Sequence, residues 1–265
     1  MAVREIDVDI VTETVSRLFQ DACHRLPDDV VAALRRTLDI EQSAASRDIV
    51  AKLLANADMA PREMIPLCQD TGLAVVFIEL GQDVHLVGGD LSKAVDEGVR
   101  RGYRDGYLRK SVVCHPFTDR VNTGDNTPAD MWVEIVPGDK VRISVLPKGA
   151  GSENMSRLTV LTPAAGRRGI IEFVTSVVDE AGGNPCPPLV VGVGIGGTTE
   201  KTMMLAKKSL LRRVGEPSAD TDNAALEREL LERINALGIG ALGYGGTTTA
   251  LAVHVESHPC HIASL

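Results

Sequence analysis

Near residue 61 the chain changes its hydrophobic period, and that change constrains the fold more than any other feature. Before it, apolar residues recur at helical intervals. In "VTETVSRLFQDACHRL", Val11, Val15, Leu18, Phe19 and Ala22 share one face, and Pro27 closes the segment. "DDVVAALRRTLDI" and "SAASRDIVAKLLANADMA" predict a second and a third helix. Pro61 and Pro66 end this regime, and "GLAVVFIEL" reads as a strand with Gly81 at its end. A helix over "LSKAVDEGVRRGYRDGYL" follows.

Beyond it the pattern is mixed. "MWVEIVPGDKVRISVLP" reads as two strands around a Pro-Gly-Asp turn, hence a hairpin. Helices are expected in "PAAGRRGIIEFVTSVVDEAGG", "TTEKTMMLAKKSLLRRV" and "TDNAALERELLERINALG", the last capped by Thr221 or Asp222. Between the first two, "PPLVVGVGIGG" is a strand running into a glycine turn. A Gly-rich run leads to the C-terminus. This order lacks the regular strand–helix alternation of a barrel and predicts an α+β (mixed α/β) fold. The expected layout is one domain over 1–265, helical to about residue 62 and a mixed sheet packed with helices from about residue 63.

Composition removes several function classes. Aromatics are only 3% of the 265 residues, so the core has to be aliphatic. A net charge of −8 argues against nucleic acid or an anionic membrane, whose binding needs a basic face. No stretch reaches the roughly 18 apolar residues of a membrane span, and "MAVREIDVDIV" is no signal peptide. The five cysteines are widely spaced and odd in number, which fits thiols in a reducing cytoplasm better than a disulfide framework.

Those thiols stand in telling contexts. In "PLCQDTG", Cys68 precedes Gln69, Asp70 and Thr71 at the mouth of a strand; Cys186 sits in the Pro-rich "GGNPCPPLVV". Such turns hold a side chain rigidly while exposing it, as a metal ligand requires. Cys23, inside an amphipathic helix, reads as a small buried hydrophobe. Zinc with ligands from Cys68, Cys186, Cys260, His258 and His261 is one possibility, weakened by the lack of a C-x-x-C pair. An iron–sulfur cluster, which accepts cysteines far apart in sequence, is another. Gly192, Gly194 and Gly197 satisfy G-x-G-x-x-G, but a parallel strand does not directly follow the next helix, which argues against a dinucleotide site. In "KGAGSENMSRL", Ser152 to Asn154 can cap a following helix, and the N–H groups of Gly149 to Ser152 can form an anion nest beside Lys148. Arg109 stands among apolar residues, where a charge calls for a partner.

Taken together, "PLCQDTG", "LRKSVV", "RVNTGDNTPA", "PKGAGSENMSRL", "GGNPCPPLVVGVGIGGTTEK" and "GGTTTALAVHVESHPCHIASL" resemble, in order and spacing, the α subunit of the iron–sulfur hydro-lyases. These are the class I fumarases and L(+)-tartrate dehydratases, and the resemblance covers about residues 5 to 265. It implies a [4Fe–4S] cluster with Cys68 and Cys186 among three ligands, and substrate contacts from Gln69, Asp70, Arg109 and Gly151. It also implies acid–base work by His261 together with Asp70. The third thiolate is expected beyond Leu265, with Cys260 as the alternative. A separate β subunit would carry further basic residues and a Thr to the substrate, giving an α2β2 assembly in the cytoplasm. The expected reaction is reversible hydration of a dicarboxylate, fumarate to (S)-malate first. The alternatives are an L(+)-tartrate dehydratase α subunit or a non-catalytic assembly or binding subunit of the same fold.

Overall fold

The computed structural model describes residues 3–265. In chain order the elements are β1 (Arg4–Asp7), α1 (Val8–His24), α2 (Asp28–Ile40), α3 (Ala44–Glu63), β2 (Leu73–Gly81), β3 (Val84–Val87), α4 (Leu91–Asp105), β4 (Asp130–Val136) and β5 (Val141–Lys148). There follow α5 (Ala150–Glu153), α6 (Gly166–Ala181), β6 (Leu189–Gly196), α7 (Thr199–Ser209), α8 (Thr221–Asn235) and β7 (Ala250–His258). The fold is α+β. It divides into two compact units: one takes in the chain up to Leu26 with Asn56–Ala150, the other Pro27–Ala55 with Gly151–Leu265. Both α3 and α5 cross the division.

In the first unit, α1 starts where Asp7 accepts the Asp9 N–H at 2.9 Å. Its stripe Val11, Val15, Phe19 and Cys23 is buried against Val95, Val99 and Tyr103 of α4 and against Ala74, Val76 and Ile78 of β2. Each fully buried aliphatic or aromatic side chain there contributes roughly 1.5–3 kcal/mol, so this stripe decides where the helix sits. The sheet order is β4-β2-β5, with β2 parallel to β4 and antiparallel to β5. The expected β4–β5 hairpin is therefore not formed. Ala74 to Ile78 are buried on both faces of β2, and a strand so apolar displaces the two partly exposed ones to its flanks. The intended turn instead wraps the end of β2: Gly81 N–H donates to Lys140 O (2.8 Å) and Asp83 N–H to Gly138 O (2.9 Å). Within the region expected to be helical, residues 4–7 form β1, parallel to β3. Pro61 does not stop α3. It lies in the last turn, where its fixed φ is already helical and one missing N–H matters little.

In the second unit β6 and β7 pair in parallel, joined through α7 and α8. Val174 and Val178 of α6, Leu226, Leu230 and Ile234 of α8, and Val253 and Val255 of β7 form its aliphatic core. The G-x-G-x-x-G run is thus followed by a parallel strand after all, two helices later. Its first two glycines are spoken for: a Cβ on Gly192 would strike the Ala206 carbonyl, and one on Gly194 the Thr202 carbonyl. They let α7 lie on β6, so the motif is a packing device. The cap of α8 is Asp220, which accepts the N–H groups of Asp222 and Asn223 at 2.9 Å, one residue earlier than expected. No helix follows Ser152–Asn154 directly. Residues 150–153 make a single turn, and α6 begins at Gly166.

Candidate active site

In the first unit the segment 66–72 is pinned by its backbone while its reactive side chains stay exposed. Leu67 donates its N–H to Cys23 O (2.8 Å) and accepts from Asn56 Nδ2 (2.7 Å). Tyr103, fully buried on α4, donates its hydroxyl to Thr71 O at 2.7 Å. Asn126 Nδ2 donates to Gly72 O at 3.2 Å. Gly72 has φ +71, and a Cβ there would meet the Lys148 carbonyl oxygen at 2.6 Å, so only glycine fits. With the backbone thus occupied, Cys68 and Gln69 are exposed, and Cys68 Sγ accepts the Asp70 N–H at 3.4 Å.

Asp70 joins two loops. Its Oδ1 accepts from Gly72 N–H (3.1 Å) and its Oδ2 from Ala150 N–H (2.8 Å). One N–H of the expected anion nest, that of Ala150, is therefore already engaged by an internal carboxylate. Arg109 follows the buried Leu108 and is itself exposed; its guanidinium makes no ion pair or hydrogen bond among the described residues. The partner expected for it is not needed, because water solvates the charge. Cys23 is only 5% exposed, and burial, helped by nearby Cys68, pushes its thiol up to about 12. It remains a protonated packing residue. A cleft of about 280 Å³ lies elsewhere in this unit, lined by Arg17, Arg25 and Arg101 with Glu13 and Asp21. Its charges nearly cancel and no motif residue reaches it.

In the second unit Cys186 occupies the left-handed region, φ +58, which costs an L-residue about 1–2 kcal/mol. Its N–H donates to Gly183 O at 3.0 Å, and its thiol is exposed. A non-glycine residue held in such a conformation marks a constrained position, consistent with a side chain that must point one way. Gly151 is packed near this turn: a Cβ on it would meet Asn184 O at 3.0 Å. His261 is exposed, and its Nδ1 accepts the Ala263 N–H at 3.1 Å. That bond leaves the neutral ring's proton on Nε2, so this face of the imidazole donates. Cys260 Sγ lies 3.4 Å from Ser264 O and is engaged in the terminal turn.

Cys68, Gln69, Asp70 and Arg109 thus fall in the first unit, and Gly151, Cys186 and His261 in the second. All five cysteines are free, and among the described residues no three His, Cys, Asp or Glu side chains converge as a metal-binding group. The donor chemistry nevertheless suits iron: Cys68 and Cys186 are exposed, unbridged thiols on rigid turns, the form in which sulfur can reach a metal. Sequence reasoning gave no role to Tyr103 or Asn126, which hold the first turn from beneath. A signal existed for Tyr103, which continues the apolar stripe Val95–Val99 at helical spacing within an otherwise charged helix.

Residues 12–265 match the family model described as fumarate hydratase (Fumerase). A Methanocaldococcus jannaschii protein named for the L(+)-tartrate dehydratase α subunit is 42% identical over 262 residues, covering 96% of this chain and 91% of that protein. The L(+)-tartrate dehydratase α subunits of Escherichia coli K12 and Shigella sonnei are each 34% identical over 262 residues, covering 97% of this chain and 86% of theirs. The turns bearing Cys68 and Cys186 and the terminal His261 all lie within the matched span, and the chain belongs to the fumarate hydratase family, as a hydro-lyase of its α-subunit type.

Proposed function

We propose that this chain is the α subunit of an iron–sulfur-dependent L(+)-tartrate dehydratase. Sequence reasoning put fumarate first. The named relatives, at 42% and 34% identity over nearly the whole chain, favour tartrate, while the family model's own description keeps fumarate as the second reading. The observation that carries the reading is the 66–72 turn. Its peptide groups are bonded inward, which leaves a thiol, an amide and a carboxylate at the surface of one loop.

Cys68 and Cys186 would hold a [4Fe–4S] cluster together with a third thiolate. When bound, the cluster supplies a Lewis-acidic iron for hydroxyl and carboxylate oxygens. Removing the proton α to a carboxylate loads more negative charge onto an anion, so the protein has to supply positive charge and an acceptor. Arg109, exposed and unpaired, clamps a substrate carboxylate through its planar fork; Gln69 and the Gly151 backbone orient the substrate. Asp70, whose oxygens accept the Gly72 and Ala150 N–H groups, takes the proton. His261 presents Nε2–H and protonates the departing hydroxyl. Both units contribute to a single α-type domain in this reading. The relatives' α-subunit names further support a β subunit that completes the site, in an α2β2 cytoplasmic enzyme. No helix among the described residues is long and apolar enough to cross a membrane.

The test is anaerobic reconstitution with iron and sulfide, with and without the β partner, followed by assays of tartrate dehydration and fumarate hydration. Tartrate turnover by the two-chain complex alone is the expected result. Activity of this chain without a partner would overturn the two-subunit reading. Turnover of fumarate but not tartrate would reverse the substrate assignment.

A further inference from the structure

Asp70 and Arg109 stand on different segments, residues 66–72 and 108–112, and two buried side chains tie these segments together. Thr71, 4% exposed, sends its Oγ1–H to the Arg109 carbonyl at 3.0 Å, across 38 positions of sequence. Asn126, with no exposure and φ +66, bridges the same two segments with its amide. Its Oδ1 accepts from Ser111 N–H (2.6 Å) while its Nδ2 donates to Gly72 O (3.2 Å). One bond therefore leaves the residue after Asp70 for Arg109 itself, and a second pair links the next peptide to the residue two beyond Arg109. From below, the Tyr103 hydroxyl holds the Thr71 carbonyl.

We infer that Thr71 and Asn126 are positioning residues that fix the Arg109 backbone relative to the Asp70 carboxylate, and so set the spacing at which a dicarboxylate is gripped. This rests on the proposed roles of Asp70 and Arg109. A guanidinium pairs with a carboxylate through two parallel bonds, and a displacement near 1 Å at a reacting centre costs about 100-fold in rate. Among the described residues Arg109 has no ion pair to hold it, and its side chain is exposed. Its aim therefore depends on its main chain, and that main chain is hung on Thr71 and Asn126. A buried Thr hydroxyl commonly satisfies itself on a neighbouring carbonyl of its own segment. This one reaches the other substrate loop instead.

The discriminating experiment uses the two-chain holoenzyme with Thr71→Val, which keeps the shape and removes the donor, Thr71→Ser, which keeps the donor, and Asn126→Asp, which keeps the acceptor for Ser111 but loses the donor to Gly72. Steady-state kinetics on the dicarboxylate and amide hydrogen exchange of residues 66–72 and 108–112 are read for each. Thr71→Val and Asn126→Asp are expected to raise KM about ten-fold, with a smaller fall in kcat. Exchange should quicken in both segments together, and Thr71→Ser should stay close to the parent in both measurements. Unchanged KM in Thr71→Val overturns the inference, as does an equal defect in Thr71→Ser. Faster exchange in 66–72 with 108–112 unaffected also overturns it, because the two loops would then not be coupled. If the parent complex turns over no dicarboxylate, the functional reading fails, and the exchange pattern alone still decides whether the clamp exists.

Discussion

Glu41 offers the most quantitative test of the fold. It is 3% exposed, one residue past the end of α2, and nothing in the sequence marks it as special. Its carboxylate accepts the N–H groups of Gln42 (2.8 Å), Ser43 (2.9 Å), Thr247 (2.9 Å) and Thr248 (3.3 Å). One buried anion thus ties the α2–α3 corner to the loop leading into β7. Burial by itself pushes this carboxyl up, but the N–H groups of Ser43, Thr247 and Thr248 outweigh it and hold the group below its ordinary 4.5. In Glu41→Gln one oxygen survives, and the amide NH2 is set against the N–H groups of Thr247 and Thr248. The Oε2 contacts are lost while Thr247 keeps its 3.0 Å bond to the surviving Oε1, so at about 1.5–3 kcal/mol for a whole charge-assisted bond the destabilisation is about 2–5 kcal/mol. For a chain of this size that lowers Tm by roughly 10 °C. The pH dependence follows from the lowered folded value. The wild-type contribution is fully present above pH 4.5 and disappears as pH falls through the folded value, so the gap between the proteins narrows in acid. Thermal melts of both proteins from neutral pH to below pH 4 measure this. A Gln variant that melts with the parent at neutral pH, or a gap of constant size into the acid range, would refute the reasoning.

Two further outcomes follow from the site. Cys68→Ser and Cys186→Ser are each expected to abolish stable iron and sulfide incorporation, whereas Cys23→Ser retains it, because that thiol is buried and protonated; iron analysis after anaerobic reconstitution decides. Arg109→Lys is expected to lower kcat/KM roughly ten- to hundred-fold with an unchanged melt, since the guanidinium has no intramolecular partner to lose, and near-parental efficiency would demote it to a solvated charge.

The helices of this fold were legible because each carries its own periodic signal. Val11, Val15 and Phe19 announce α1, and Val95, Val99 and Tyr103 announce α4, before any partner is known. Strand order was not legible. "MWVEIVPGDKVRISVLP" has every local mark of a hairpin, and the turn does form. What its sequence cannot contain is β2, residues earlier in the chain but more apolar than either arm, which inserts between them. Pairing is a competition among strands, and local pattern reports only one competitor. The short β1 and β3 were missed for a different reason, since a four-residue strand has too little length for a period to show.

At the site the division is between side chains and main chain. Cys68, Asp70, Arg109, Cys186 and His261 could be singled out because thiols, carboxylates and imidazoles in Gly- and Pro-rich turns are chemically conspicuous. The residues proposed to aim them could not be, because their partners are peptide groups. Tyr103 bonds the carbonyl of Thr71, Thr71 that of Arg109, Asn126 that of Gly72, and Glu41 binds four N–H groups. A backbone carbonyl has no letter in the sequence, so a bond to it across 38 positions leaves no mark that inspection of either segment can find. The same economy bears on the proposed chemistry. Because the 66–72 backbone is satisfied from within by groups of this kind, Cys68 and Gln69 are spared for whatever lies outside the loop, and a reactive turn can be both rigid and open.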